Sequence, residues 1–387
     1  MVSRRRFMQL ASVGASMVAG GASSLAAGAA TPDQSGNPPV NQLVALTGDN
    51  VPRKMTDYPA QLLRTLEARS GMNDFYLAEG AAAALELAFS RLLGKKSAVF
   101  MPTGTMANQI AIRLLCGDRR RLLVQRESHV YQDEGDAASI LSGINPVPLE
   151  TAGPDLEQQV QAAFSMASES PYPTTVGAVS LESPIRRLDG RTLPLEQVER
   201  ISALVKRQGA GLHLDGARLL LMNGSAGFEA ARYCGPFDTV YVSLYKYLGA
   251  PFGAVLAGGK DMMDKAREMR HVLGGTIFHG WVAAVPALEQ LDGFGERFAR
   301  ARQAGEQLLA ALSKVDGITV ERVPDGSNIA FLQLAPRIAD GLAERLQAQG
   351  IVIANVKSGR LPLTINETIL RRPVTEIAAA FSPRSGT

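Results

Sequence analysis

The sequence predicts an α/β protein, with a large domain on a mostly parallel sheet and a small α+β domain after it. Three observations support this. From about residue 95, short apolar runs bounded by Gly, Pro or charge alternate with longer amphipathic stretches. Buried strands separated by helices form parallel sheets covered on both faces. The texture changes after Leu273, and 387 residues are more than one small core organises.

The elements follow in order. Ser3-Arg4-Arg5-Arg6-Phe7-Met8-Gln9 precedes a run of small and apolar residues from Leu10 to Leu25, and Ala26–Ala30 offers an Ala-x-Ala-type cleavage site. Residues 1–30 therefore read as a twin-arginine export signal, which predicts a periplasmic protein matured near residue 30. An uncleaved anchor is the alternative, on a run barely long enough to span a bilayer. Residues 31–58 read as an N-terminal arm that begins flexibly at Thr31-Pro32-Asp33 and Pro38-Pro39. The large domain takes 59–280. Its strands are expected at Ser97–Met101, Arg121–Gln125, Val176–Leu181, Gly211–Asp215, Thr239–Leu244 and Gly253–Ala257, and its helices at Thr105–Cys116, Pro194–Gln208 and Lys260–Leu273. The small domain takes 281–387. A long helical stretch, Phe278–Val315, leads into it, with Gly293 and Gly295 as interruptions. Strands at Gly317–Val323, Ala330–Leu334 and Ile351–Ala354 then surround a helix at Arg337–Gln349.

The totals exclude several classes. Forty basic residues face 37 acidic ones, and removing Arg4, Arg5 and Arg6 with the signal leaves 37 against 37. Such a balance gives no electrostatic reason for binding nucleic acid or an anionic membrane in the mature form. Cys116 and Cys234 stand far apart in apolar surroundings and read as two buried thiols, with a disulfide as the weaker alternative. None of the four histidines is spaced for a shared metal, so no metal site is expected. No Gly-x-Gly-x-x-Gly or Gly-Lys-Ser/Thr loop argues for a nicotinamide or nucleotide protein.

In open α/β sheets the chemistry collects at the strand carboxyl ends. His213-Leu214-Asp215-Gly216-Ala217-Arg218 places a carboxylate at one such end. Thirty-one residues after Asp215, Lys246 follows the next strand, flanked by Val242, Leu244, Tyr245, Tyr247 and Leu248. Those neighbours predict a desolvated amine, with its pKa lowered for Schiff-base chemistry. A buried aspartate that keeps a pyridine nitrogen protonated makes the ring an electron sink, so the pair predicts pyridoxal 5'-phosphate (PLP). Each residue also has a structural reading, Asp215 as a cap and Lys246 as a snorkelling surface side chain. Pro102-Thr103-Gly104-Thr105-Met106-Ala107-Asn108 follows a strand and opens a helix. Gly104 lets a phosphate approach the free N–H groups there and Thr105 adds a hydroxyl, although Thr103 or Thr105 also serves as an N-cap. His129, in Ser128-His129, can lie flat on a planar cofactor and exchange a proton beside it. Arg218 and Arg360 are candidates for a substrate carboxylate, whose two oxygens match the guanidinium fork.

These motifs resemble those of the threonine aldolase and aromatic amino acid beta-eliminating lyase family of fold-type-I PLP enzymes. The likeness runs from about Asn73 to Gly275 and more weakly through the small domain. It implies a phosphate loop at Pro102–Gln109, a cofactor-stacking His129, a pyridine-nitrogen carboxylate at Asp215, and a Schiff-base Lys246. It also implies a homodimer or homotetramer in which Asp74-Phe75-Tyr76 approaches a neighbouring site. On the substrate side, Gly48 in Thr47-Gly48-Asp49, Tyr76, Arg218 and Arg360 are the positions expected at the substrate. Departures cluster there too. A serine is replaced in Thr47-Gly48-Asp49, a second histidine in Ser183-Pro184-Ile185-Arg186-Arg187, and an arginine in Gly274-Gly275-Thr276-Ile277-Phe278-His279-Gly280. The activity implied is retro-aldol cleavage of a β-hydroxy amino acid to glycine and an aldehyde, with His129 or a water beside it as base. Breaking Cα–H instead, with Lys246 as base, gives a β-eliminating lyase or a racemase. A transaldolase, an aminotransferase-like activity and a non-catalytic PLP-fold binding protein are further alternatives.

Overall fold

The computed structural model describes residues 42–150, 155–169, 171–172 and 174–382. The twin-arginine segment and the lead-in at 31–40 lie outside the described residues. Among these residues the strands are β1 Val44–Ala45, β2 Ser97–Met101, β3 Arg121–Gln125, β4 Asn145–Leu149, β5 Val176–Glu182, β6 Gly211–Asp215, β7 Thr239–Ser243, β8 Ala254–Gly258, β9 Ile318–Arg322, β10 Ile329–Leu334, β11 Ile351–Val352 and β12 Arg360–Thr364. A seven-stranded sheet runs in the order β2-β8-β7-β6-β5-β3-β4. Neighbouring strands from β7 to β4 are parallel, and β8 is antiparallel to both β2 and β7.

All residues of β5, β6, β7 and β8 are buried, as strands covered on both faces must be. Their alternation sorts them by face. Val99, Met101, Tyr241 and Leu256 pack with Ala107, Ile110 and Ala111 of the helix Gly104–Cys116 and with Met263 and Ala266 of the helix Lys260–Val272. Ala98, Phe100, Val240, Val242 and Val255 turn the other way, onto Leu85 and Phe89 of the helix Gly80–Leu92. Burying each large side chain contributes about 1.5–3 kcal/mol before chain entropy is counted.

The register sets the functional edge. Glu182 lies opposite Asp215, and Asp215 opposite Tyr241, so β5 and β6 end level and β7 runs two residues further at the same edge, to Ser243. The helix Gly104–Cys116 starts at the same edge, because β2 ends where β8 begins: Met101 and Ser243 both pair with Ala254. Thr103, in extended backbone, caps this helix by accepting from the Met106 N–H at 3.1 Å.

A second, antiparallel sheet, β12-β10-β9, carries its own core of Leu332, Leu334, Leu361 and Leu363 against Leu308, Leu309 and Leu312. Four details differ from expectation. β4, Asn-Pro-Val-Pro-Leu, is an additional edge strand, where its two prolines need not donate to a neighbour. β11 pairs in parallel with β1 of the arm, not with the small sheet, whose third strand is β12. The helix expected at Arg337–Gln349 is two short ones, Pro336–Ala339 and Leu342–Ala348, broken at Gly341 with φ 60°. The long stretch is interrupted at Gly293, as expected, into Trp281–Leu291 and Phe294–Leu312, with φ 63° at the glycine. Ala283, Val285, Phe294 and Phe298 join the core of the large sheet, so that core continues past the boundary expected at 280/281. Cys116 and Cys234 are free and buried.

Candidate active site

Asp215 is buried at the end of β6, at 1% exposure. Its Oδ1 accepts from the Ala217 N–H at 3.1 Å and its Oδ2 from the Asn108 amide at 2.9 Å. Among the described residues, no Lys, Arg or His lies within ion-pair distance of it. A buried carboxylate held only by neutral donors is costly unless a cation joins it.

Asn108 organises the floor of the site. Its second amide hydrogen reaches Glu134 Oε1 at 2.9 Å, and its carbonyl meets His213 Nε2 at 3.0 Å. Burial pushes the His213 imidazole down to about 4, so it is neutral near pH 7. Nε2 therefore carries the proton, and Nδ1 accepts from the Thr239 hydroxyl at 2.8 Å. Glu134 also accepts from Gln109 at 2.5 Å. Burial, helped by the Asp215 charge, pushes the Glu134 carboxyl up to about 7. Glu182 ends β5; burial and the same Asp215 charge raise its pKa. Its Oε2 accepts from the His129 N–H at 2.7 Å and its Oε1 from the Arg186 N–H at 2.9 Å.

The raised pKa of Glu134 sets a pH dependence. In the folded state it binds a proton between about 4.5 and 7 that the unfolded chain has released. Its contribution is thus complete below the unfolded value and is lost as pH rises through 7. Glu134 alone should contribute a loss of up to about 1.4 kcal/mol per pH unit across that window, alongside a loss of the same sign from Glu182 and an opposing gain from His213. The stability difference between cofactor-free natural protein and Glu134→Gln, read by chemical denaturation at several pH values, should therefore carry the Glu134 slope.

His129 opens the short helix His129–Gln132 and is half-buried. Its Nδ1 lies 3.3 Å from Asp133 and its Nε2 3.7 Å from Glu134. Gly104 meets the strict steric requirement of this site. A Cβ there would stand 2.0 Å from the Tyr241 hydroxyl oxygen. The Gly104 and Thr105 N–H groups sit in the first helical turn, where no internal acceptor exists. Gly104→Ala should cost about 1–3 kcal/mol through overpacking and weaken cofactor affinity with it; denaturant midpoints and PLP titration read the two effects.

Lys246 departs from expectation. Leu244, Tyr247 and Leu248 are buried in the core, but Lys246 is only half-buried beside an exposed Tyr245. Its amine lies 3.4 Å from the Tyr245 hydroxyl and 5.0 Å from that ring. The apolar neighbours hold the loop in place and leave the amine open at the carboxyl edge. Arg218 is also not free, since its Nε donates to Asp49 at 2.7 Å with both side chains largely buried. That pair brings the Thr47-Gly48-Asp49 turn to the site. Gly48 is exposed at φ 75°, and its carbonyl accepts from Asn366 at 3.1 Å. Arg360, at the start of β12, stacks 3.3 Å over the Phe331 ring and pairs with Glu321 at 3.1 Å. Tyr76 is exposed with φ 53°, its ring 5.2 Å from Phe278. Hydrogen bonds, ion pairs and packing thus draw Asp215, His129, Gly104, Arg218 and Gly48 toward one edge, whereas Arg360 and Tyr76 are held by local partners.

The residues present fit PLP. A buried carboxylate lacking a cation, a helix start that only glycine can open, and a lysine amine at the same edge suit a pyridine nitrogen, a phosphate and an aldehyde. Asn108, Glu134, Glu182, His213 and Tyr241 complete the floor and had not been assigned site roles from sequence. Asn108 carried the available signal, as a polar residue between Ala107 and Ile110 on the packed side of a helix.

Fold and site together define a PLP-dependent lyase of fold type I. The family model of the beta-eliminating lyases matches residues 64–335, and the chain belongs to that family. It is 27% identical to low-specificity L-threonine aldolase 1 of Arabidopsis thaliana over 350 residues, 88% of this chain and 96% of the relative. It is 26% identical to the low-specificity L-threonine aldolase of Escherichia coli K12, over 82% of this chain and 93% of that one. The solved structure of a candidate L-allo-threonine aldolase from Listeria monocytogenes superposes with a TM-score of 0.73 at 28% identity, covering 87% and 94% of the two chains.

Proposed function

We propose that this enzyme cleaves the Cα–Cβ bond of a β-hydroxy amino acid, releasing glycine and an aldehyde, in the manner of a threonine aldolase. The observation that carries the proposal is the setting of His129, whose ring nitrogens lie 3.3 Å and 3.7 Å from two carboxylates. An imidazole so placed is oriented through Nδ1 by Asp133 and can accept the proton of the substrate hydroxyl.

Bound PLP supplies an electron sink for the bond that breaks. Asp215 would hold the proton on its ring nitrogen, with Asn108 fixing the carboxylate. Gly104 and Thr105 would take its phosphate at the helix start, and His129 would cover the ring. Lys246 would anchor the aldehyde through Nζ and, once displaced by substrate, carry a proton there. Arg218 would hold the substrate α-carboxylate by sharing its guanidinium with Asp49, and Arg360 would join it only by leaving Glu321 and the Phe331 ring.

Product analysis separates the alternatives. Incubation with L-threonine and L-allo-threonine should yield glycine and acetaldehyde in equal amounts, and His129→Asn should lower kcat/KM by about 10²–10⁴-fold. Ammonia and a 2-oxo acid from β-substituted substrates, without glycine, would instead assign β-elimination. We further propose a homodimer or homotetramer through the exposed rings of Phe75, Tyr76 and Phe278, to be read by light scattering. Export to the periplasm through Arg4-Arg5-Arg6 is part of the same proposal. Replacing the arginines with lysines should retain the protein in the cytoplasm.

A further inference from the structure

Two guanidinium groups share one carboxylate beside His129. Arg187 reaches Asp133 Oδ1 at 2.6 Å, and Arg186 reaches Asp133 Oδ2 at 3.2 Å. The His129 Nδ1 lies 3.3 Å from that same Oδ2. Burial alone would raise the Asp133 carboxyl, but hydrogen bonds from Arg187 and Arg186 hold it below the usual carboxylate range. The cluster of two arginines and one ionised aspartate therefore carries a net charge of about +1.

Both arginines are about half exposed, at 51% and 41%, whereas Asp133 is at 22%. Their donor forks are not used up by Asp133 and can turn toward a ligand. The segment cannot drift from the histidine, because Glu182 accepts from the backbone N–H groups of both His129 and Arg186. The two guanidinium groups are thus fixed beside His129, the residue that serves the substrate hydroxyl on the reading above.

We propose that Arg186 and Arg187 select a β-hydroxy amino acid whose side chain ends in a carboxylate, β-hydroxyaspartate being the smallest. The inference rests on the retro-aldol reading above. The Cα–Cβ bond breaks, the hydroxyl proton leaves to the base as the carbonyl forms, and Cα regains a proton. β-Hydroxyaspartate thereby becomes glycine and glyoxylate, with no oxidant or reductant required. A methyl side chain, as in threonine, leaves the two forks unfilled.

The test uses the PLP-loaded enzyme. The ratio of kcat/KM for β-hydroxyaspartate to that for threonine should exceed about tenfold and shrink as salt is added, since exposed charges are screened. The double variant Arg186→Met/Arg187→Met should bring the ratio down at least about tenfold, and Arg187→Lys should keep part of it. Calorimetric binding of malate, compared with lactate, gives a readout independent of turnover: malate should bind the natural enzyme more tightly and lose that advantage in the double variant. If the double variant does not fold, the salt dependence of the natural enzyme still decides. Threonine cleavage with a ratio near one and no malate preference overturns the inference alone. Failure to release glycine from either substrate overturns the retro-aldol reading, and malate binding then reports on the arginine site by itself.

Discussion

Lys246→Ala protein is expected to lose turnover by at least about a thousandfold, because the residue that holds the reacting group covalently has no substitute. The described residues offer no second lysine in the Ser243–Gly253 segment. Lys246 is half-buried and bonded only to its neighbour's hydroxyl at 3.4 Å, so its removal leaves no buried donor or acceptor stranded. Denaturation midpoints should stay within about 0.5 kcal/mol of the natural protein, as for other surface changes. The variant should fold, bind PLP weakly and reversibly, and fail to turn over. A loss of folding together with activity would show instead that the lysine is structural.

Asp215→Asn should likewise lower activity far more than stability. The amide keeps the size of the side chain but removes a buried negative charge that has no cationic partner among the described residues. That charge helps raise the pKa of both Glu134 and Glu182. Relief of that buried charge is set against one donor, the Ala217 N–H or the Asn108 amide, that the new amide nitrogen cannot satisfy, so cofactor-free stability should change by no more than about 1–3 kcal/mol, and the part of the pH dependence that the Asp215 charge adds through Glu134 and Glu182 should be lost. Turnover should fall by about 10²–10⁴-fold, because the carboxylate that keeps the ring nitrogen protonated is gone. Asp215→Ala, by contrast, leaves the Asn108 amide hydrogen unpaired in a buried place and should cost about 1–3 kcal/mol.

The sequence exposed the sheet well, because fully buried strands such as Ala254–Gly258 are unbroken apolar runs, and the cap at Thr103 marks the helix start that follows β2. β4 was hidden by its prolines, which local preference counts against a strand and which only an edge position tolerates. β12 was hidden in the same way by Pro362. Arg218 looked like a free anion holder because the aspartate that neutralises it lies 169 residues away. The network of Asn108, Glu134, Glu182 and His213 depends on four separate segments meeting below β6, which no local pattern encodes. The apolar residues around Lys246 were misleading for a geometric reason. Leu244, Tyr247 and Leu248 are buried in the core, and the lysine lies outside it beside the exposed Tyr245.

The central claim is that Lys246 and Asp215 bracket one pyridine ring. Purified protein supplied with PLP should show an absorbance band near the violet edge of the visible spectrum. Treatment with borohydride should bleach that band and leave the cofactor covalently fixed on the peptide that contains Lys246, as read by mass spectrometry. Fixation on another lysine, or no visible band at saturating PLP, would contradict the account.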